Sequence, residues 1–233
     1  GAGNVIVTNN DPADFQRLEN YFDVIIVDAP CSGSGLFRKD PAAIEEWSEQ
    51  NVTLCSQRQQ RILADNMPAL KNNGVLIYST CSYSAAEDEA ITDWLLNDYQ
   101  LSTVNFQLPV TWNIVESRSP QHNGYGYRFY PDKLKGEGFF IAAFRRQGTG
   151  NEDKNRRQKN RYQQLPANEM ETLKPYLQHP ADLFFIKQHE ELLALPKEME
   201  HDLALLKSAL YIKKTGVNSG PITQKEMIAS GTV

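Results

Sequence analysis

Cysteine is scarce in this chain: three residues in 233, at Cys31, Cys55 and Cys81. An odd number cannot pair completely, and no two stand in a C-x-x-C spacing. The four histidines, between His122 and His201, lie away from the cysteines in sequence. Neither a disulfide framework nor a zinc site is expected, so the metal expectation is none and the thiols should be reduced. An excess of one charge is also missing. The net charge of −5 gives no whole-chain signal for a polyanion partner. No apolar run approaches the length of a membrane span. The opening Gly1-Ala2-Gly3-Asn4 has neither the basic region nor the apolar core of a secretory signal. These absences point to a cytoplasmic protein with no membrane partner.

At 233 residues the chain can bury a substantial core. Charge divides it unevenly. Residues 1–147 carry 12 Lys+Arg against 18 Asp+Glu, a balance of −6, and residues 148–233 carry 12 against 11, a balance of +1. Two modules are expected, and nucleic-acid binding would rest on local patches. The segment from Gln147 to Arg161 is polar and basic towards its end, and reads as a linker. Arg156, Arg157, Lys159 and Arg161 are either a solvated charge run or an RNA contact.

Strand and helix patterns alternate in the first module. Asn4–Thr8 reads as a buried strand. Phe22–Val27, apolar on both faces, reads as a central parallel strand. From Ile44 a helix is expected, with Trp47, Val52, Cys55, Ile62, Leu63 and Leu70 on its apolar face and Asn72-Asn73-Gly74 ending it. Gly74–Thr80 is the next strand. Ser84 and Glu87 form a capping-box pattern for a helix carrying Ile91, Trp94, Leu95 and Leu96. Leu101–Phe106 and Gly138–Arg145 are further strands. Between them, Gly124–Pro131 reads as a long aromatic loop, its tyrosines either covering a sheet edge or stacking bases. The alternation predicts a parallel α/β sheet with right-handed crossovers. A nucleotide-type cofactor sheet also needs a Gly-rich turn after its first strand. None stands upstream of Val5, so the chain reads as beginning within a domain. In the second module, Leu183–Gln188 and Glu191–Leu195 read as a hairpin, Lys197–Ser208 as a helix and Leu210–Lys214 as a strand.

The chemistry is expected where strands end. Cys31 lies in Asp28-Ala29-Pro30-Cys31-Ser32-Gly33-Ser34-Gly35, directly after Val24-Ile25-Ile26-Val27. Cys81 lies in Ser79-Thr80-Cys81-Ser82, directly after Gly74-Val75-Leu76-Ile77-Tyr78. An open α/β sheet puts its site at such ends. Position alone leaves Cys81 as either a thiolate nucleophile before a helix N-terminus or a small buried hydrophobe. Asp28 either caps its turn or accepts from the amino group of a base.

The two cysteine motifs, with Phe37-Arg38-Lys39-Asp40-Pro41 and the helix Asn51–Leu63, closely resemble the Nop/Sun family of RNA cytosine-5 methyltransferases, in its bacterial rRNA type. The resemblance covers roughly residues 4–146. It implies a Rossmann-like fold, S-adenosyl-L-methionine as cofactor, RNA (rRNA) as partner and carbon 5 of cytosine as the methylated atom. By the same resemblance Cys81 is the nucleophile on carbon 6 of a flipped-out cytosine, and Cys31 assists the final release. Asp28 holds the cytosine edge close to the cofactor. Asp11 corresponds to the acid beside the cofactor adenine, although an Asx turn before Pro12 explains it equally well. The family's Gly-rich cofactor loop and ribose-binding acid would precede Gly1, and Ser84-Ala85-Ala86 stands where the family commonly has proline. Residues 1–146 are then the later half of a catalytic domain, 147–161 the linker, and 162–233 a small α+β, PUA-like RNA-binding module in which Lys187, Lys213 and Lys214 would touch phosphate. Two other functions fit the same residues. One is a non-catalytic RNA-binding or ribosome-assembly factor. The other is a DNA cytosine methyltransferase with Cys31 as nucleophile.

Overall fold

The computed structural model describes residues 3–148, 163–166, 169–171, 175, 179–188 and 191–221. Arg156, Arg157, Lys159 and Arg161 of the expected linker, and the expected hairpin turn His189-Glu190, lie outside them. Contacts divide the chain into two units. One comprises Phe15–Asp153, the other Gly1–Asp14 with Lys154–Val233. Among the described residues, no helix is long and apolar enough to cross a membrane.

The larger unit is a six-stranded mixed sheet with helices against it. Strand β2 (Phe22–Asp28) is built from β-branched residues, which suit a pleated surface. It runs parallel to β3 (Leu70–Thr80), pairing Val24 with Val75 through Asp28 with Ser79. The crossover between them carries helix α1 (Pro41–Glu46) and helix α2 (Glu49–Asn66). The single helix expected from Ile44 is therefore two. Asp40 caps the first, accepting from the Ala42 N–H at 3.0 Å, and Ser48 caps the second, accepting from the Asn51 N–H at 3.1 Å. Trp47, extended between them, makes the break. Helix α2 stops before Pro68, which is held in a single 3₁₀ turn, and β3 begins at Leu70 rather than Gly74.

Parallel pairing stops there. Helix α3 (Glu89–Asp98) leads to β4 (Leu101–Thr103), which pairs antiparallel with β7 (Phe139–Arg146). Strand β7 also runs antiparallel to β3. The expected aromatic loop is instead strand β6 (Tyr125–Phe129), flanked by β5 (Val115–Arg118) and β7. Gly126 makes this possible, because a Cβ there would sit 2.5 Å from the Phe140 ring. Tyr127 is buried, and its hydroxyl accepts from the Phe106 N–H at 2.8 Å.

The core lies where α2 and α3 cover the sheet, around Leu63, Leu76, Tyr78, Ile91, Phe140 and Phe144. Strand β2 is the edge of the sheet formed by the described residues, and Val24 and Ile26 are 50% and 68% exposed.

The smaller unit joins both ends of the chain. Strand β1 (Ile6–Thr8) was expected in the main sheet, but it pairs antiparallel with β11 (Ile212–Thr215). Ile6 packs on the core formed by Phe184, Ile186, Leu193, Leu195 and Leu203, which gives this short strand its buried side. The expected hairpin is present as β9 (Leu183–Gln188) and β10 (Glu191–Pro196). It is flanked by β8 (Gln163–Gln164) and β12 (Val217–Pro221). Helix α4 (Glu200–Ala209) follows the hairpin.

Phe140 is fully buried and meets Tyr78 edge-on at a centroid distance of 6.4 Å. Phe140→Ala is expected to cost about 3–5 kcal/mol, read as a lower urea midpoint. A loss below about 1 kcal/mol would show that the sheet–helix core is not centred there.

Candidate active site

Parallel pairing of β2 with β3 places the residues after each strand side by side. The Ala29 N–H donates to the Ser79 carbonyl at 2.9 Å, carrying the register one residue past Asp28. The loops then interlock. Gly35 donates its N–H to the Cys81 carbonyl at 2.7 Å, and Gly138 donates to the Gly35 carbonyl at 2.9 Å. Gly35 has no room for a side chain, since a Cβ would lie 2.5 Å from both the Cys81 and Gly138 carbonyl oxygens. Gly33, with φ of 79°, supplies the left-handed turn that brings the chain there.

Cys31 and Cys81, fifty residues apart, have Cα atoms 6.3 Å from each other, and the structure joins their sulfurs as a disulfide. This differs from the free thiols expected of the sequence. The cause is the strand register, which puts two sulfurs at one place. A bridged pair cannot act as nucleophile, so any thiolate chemistry here requires the reduced pair. Cys55 is the free thiol, on α2, and burial is the main influence pushing it up, aided by the Glu87 charge.

Asp28 is exposed at the end of β2, and its Oδ1 accepts from the Ser79 hydroxyl at 3.2 Å. The structure thus brings together Cys31, Cys81 and Asp28. Asp11 belongs to the other unit, where its Oδ1 accepts from the Ala13 N–H at 3.1 Å in a local Asx turn. Beside Asp28 the open side of β2 forms a groove of about 380 Å³, lined by Phe15, Phe22, Val24, Ile26 and Ile62. Among the described residues there is no group of three His, Cys, Asp or Glu able to hold a metal ion.

Helix α3 starts only at Glu89, so Cys81 does not abut a helix N-terminus as expected. The capping box is also absent. Asp88 precedes the helix without a side-chain cap, and Glu87 turns inward. Its carboxylate accepts from the Ser32 N–H at 2.8 Å and the Ser32 hydroxyl at 2.5 Å. It also accepts from the Ser82 hydroxyl at 2.7 Å and from Gln59 Nε2 at 3.1 Å. Four donors from three segments outweigh what one local cap offers. Gln59 also donates to the Pro30 carbonyl at 3.0 Å, and Tyr78 Oη lies 3.0 Å from Gln59 Oε1 and 2.6 Å from the Glu87 carbonyl. Gln59 was legible in principle. With Val52 and Leu63 it shares the buried stripe of α2, where an amide signals a buried partner. Glu87 gave no such signal, because its local pattern matched a cap.

A second polar cluster holds the segment after Cys81. Arg128 forks onto Glu89 at 2.8 and 2.5 Å, donates to the Tyr83 carbonyl at 3.2 Å, and lies 3.0 Å from Asp88 Oδ2. Thr80 donates to Asp88 Oδ1 at 2.7 Å. Here two carboxyls share one guanidinium. Burial works to raise Glu89, but the two hydrogen bonds and the charge of Arg128 hold it below its ordinary value. Asp88 is the surplus acid. Burial pushes it up to about 8, against the Arg128 charge and the Thr80 hydrogen bond, with the Glu89 and Glu87 charges adding to the rise.

The 16S rRNA methyltransferase RsmB/F family matches residues 1–145. The chain belongs to that family. Among curated RsmB/F-type relatives, a ribosomal RNA small subunit methyltransferase F from Pectobacterium atrosepticum is 35% identical over 64% of this chain and 31% of its own length. The protein of the same name from Aliivibrio fischeri is 32% identical over 86% of this chain and 44% of its own length. The chain therefore spans less than half the length of these relatives. The solved structure of NSun6 from Pyrococcus horikoshii with SFG is 27% identical and covers 53% of this chain and 30% of that one. Its TM-score of 0.44 is too low to bear on fold or function. With its βαβ unit and mixed sheet, the larger unit of this RsmB/F chain is an α/β, Rossmann-like methyltransferase fold.

Folded Asp88 holds a proton that the unfolded chain releases near 3.8. Stability is therefore expected to fall as pH rises from about 4 to about 8, by at most ~1.4 kcal/mol per unit from this group, and to level off above. Asp88→Asn should remove that slope in urea unfolding measured across pH. An unchanged slope would place the shared proton elsewhere.

Proposed function

We propose that this chain is the later part of an enzyme that methylates carbon 5 of a cytosine in small-subunit rRNA, with Cys81 as nucleophile. The observation that carries the reading is the convergence of Cys31, Cys81 and Asp28 at the ends of adjacent parallel strands, in a chain of an rRNA methyltransferase family. Two thiols and an acid at one strand-end site suit a reaction that forms and then breaks a sulfur–carbon bond.

In the reduced site, the Cys81 thiolate adds to carbon 6 of a flipped-out cytosine. Electron density moves to carbon 5, which becomes nucleophilic. Adenosylmethionine, when bound, supplies an electrophilic methyl group. Asp28 accepts from the amino or protonated ring nitrogen of the base and so stabilises the adduct. Loss of the carbon 5 proton then expels the Cys81 sulfur and restores the aromatic base, and Cys31 assists this release. For the cofactor, the residues present supply Asp28, at the end of β2. The smaller unit is proposed as a PUA-like RNA-binding module. Lys213 and Lys214 are exposed on β11 and available to phosphate, whereas Lys187 has Glu169 at 3.8 Å.

Covalent trapping on RNA containing 5-azacytosine tests the assignment, using the native full-length protein with a thiol reductant. Wild type and Cys31→Ser should trap RNA, and Cys81→Ser should not. Trapping by Cys81→Ser but not by Cys31→Ser would exchange the two roles. RNA binding without trapping or methyl transfer by any form would favour the non-catalytic reading.

A further inference from the structure

We propose that Glu87 is a positioning residue that fixes the two thiols relative to each other, and so sets the geometry of bond formation and release. The inference rests on the reading of Cys81 and Cys31 given above. Glu87 is fully buried, and the hydrogen bonds described for its carboxylate go to neither Cys31 nor Cys81. It bonds instead to the residue directly after each one. Ser32, next to Cys31, donates through both its N–H and its hydroxyl. Ser82, next to Cys81, donates through its hydroxyl. One acid thus staples the two cysteine loops.

The staple is anchored from a third side. Gln59 on α2 bonds both to Glu87 and to the Pro30 carbonyl, directly before Cys31. Tyr78 Oη, directly under the Cys81 strand end, sits against Gln59 and the Glu87 backbone. A buried carboxylate is costly unless its oxygens are fully bonded. Here all its donors come from loops and elements that carry or flank the thiols. Ser34 adds a weaker tie, accepting from the Tyr83 N–H at 2.8 Å. Among the described residues, only Glu87 bonds side chains beside both cysteines and α2 at once.

The geometry can be read without methyl transfer. In glutathione buffer the two thiols and oxidised glutathione exchange for the Cys31–Cys81 disulfide and two reduced glutathiones, and the equilibrium constant is the effective concentration of one thiol for the other. Mass spectrometry of the Cys31 and Cys81 peptides in the native full-length protein measures it. Glu87→Ala should lower it at least about ten-fold, the size expected for lost hydrogen bonds to a buried charged group. Glu87→Gln keeps an acceptor for the Ser32 N–H and an amide for the two hydroxyls, and should stay within about three-fold of wild type. In methyl transfer, Glu87→Ala should lower kcat with KM for RNA unchanged, and Glu87→Gln should restore it.

Because Glu87→Ala could fail to fold, Ser32→Ala and Ser82→Ala each remove one arm, and each should lower the effective concentration by about three-fold or more. An unchanged value in folded Glu87→Ala, or in either serine variant should Glu87→Ala not fold, overturns the proposal. If the trapping experiment exchanges the thiol roles, this equilibrium still reports on the staple. If trapping holds while the equilibrium is unmoved, only the role of Glu87 falls.

Discussion

The site depends on one backbone constraint, the parallel pairing of β2 with β3. Each strand carries its chemistry just past its C-terminal end, and only a parallel neighbour brings two such ends to the same side. The register Asp28 to Ser79, continued by the Ala29 N–H, decides that Cys31 and Cys81 meet. A slip of one residue would turn the alternating side chains to opposite faces and separate the loops. The α1–α2 crossover makes the parallel arrangement possible, and the buried stripe of α2 holds it against the sheet.

Around that constraint lies a buried polar network. Glu87, Asp88, Gln59, Thr80, Ser32 and Ser82 are all withdrawn from water. A network of this kind adds little net stability over well-packed apolar residues, because desolvation offsets most of its gain. What it adds is direction, since each hydrogen bond fixes a loop that carries or borders a thiol. The two carboxyl clusters divide the work. Glu87 joins the loops to each other, while Arg128 with Glu89 and Asp88 holds the segment after Cys81 to the sheet.

Much of this was legible in the sequence. Two β-branched or apolar runs ending in Pro, Gly and Ser marked the strand ends and the cysteines after them. Other features were not legible, for identifiable reasons. Glu87 stands three residues after Ser84, so a short-range pattern concealed bonds that span 55 residues to Ser32. Tyr125–Phe129 carries glycine and reads as a loop, because a glycine that makes room for Phe140 looks the same as one that makes a turn. Strand β1 is only three residues long, and its sequence does not name its partner. The register of β2 on β3 brings the two sulfurs close enough to bond, and the strand patterns of the sequence carry no such register.

The most direct test of the account identifies which sulfur carries the base. The RNA adduct of the unmutated, reduced full-length protein can be trapped on 5-azacytosine, digested, and sequenced by mass spectrometry. The account predicts the nucleotide on the peptide containing Cys81, with Cys31 unmodified. A nucleotide on Cys31, or an adduct on neither cysteine, would contradict it.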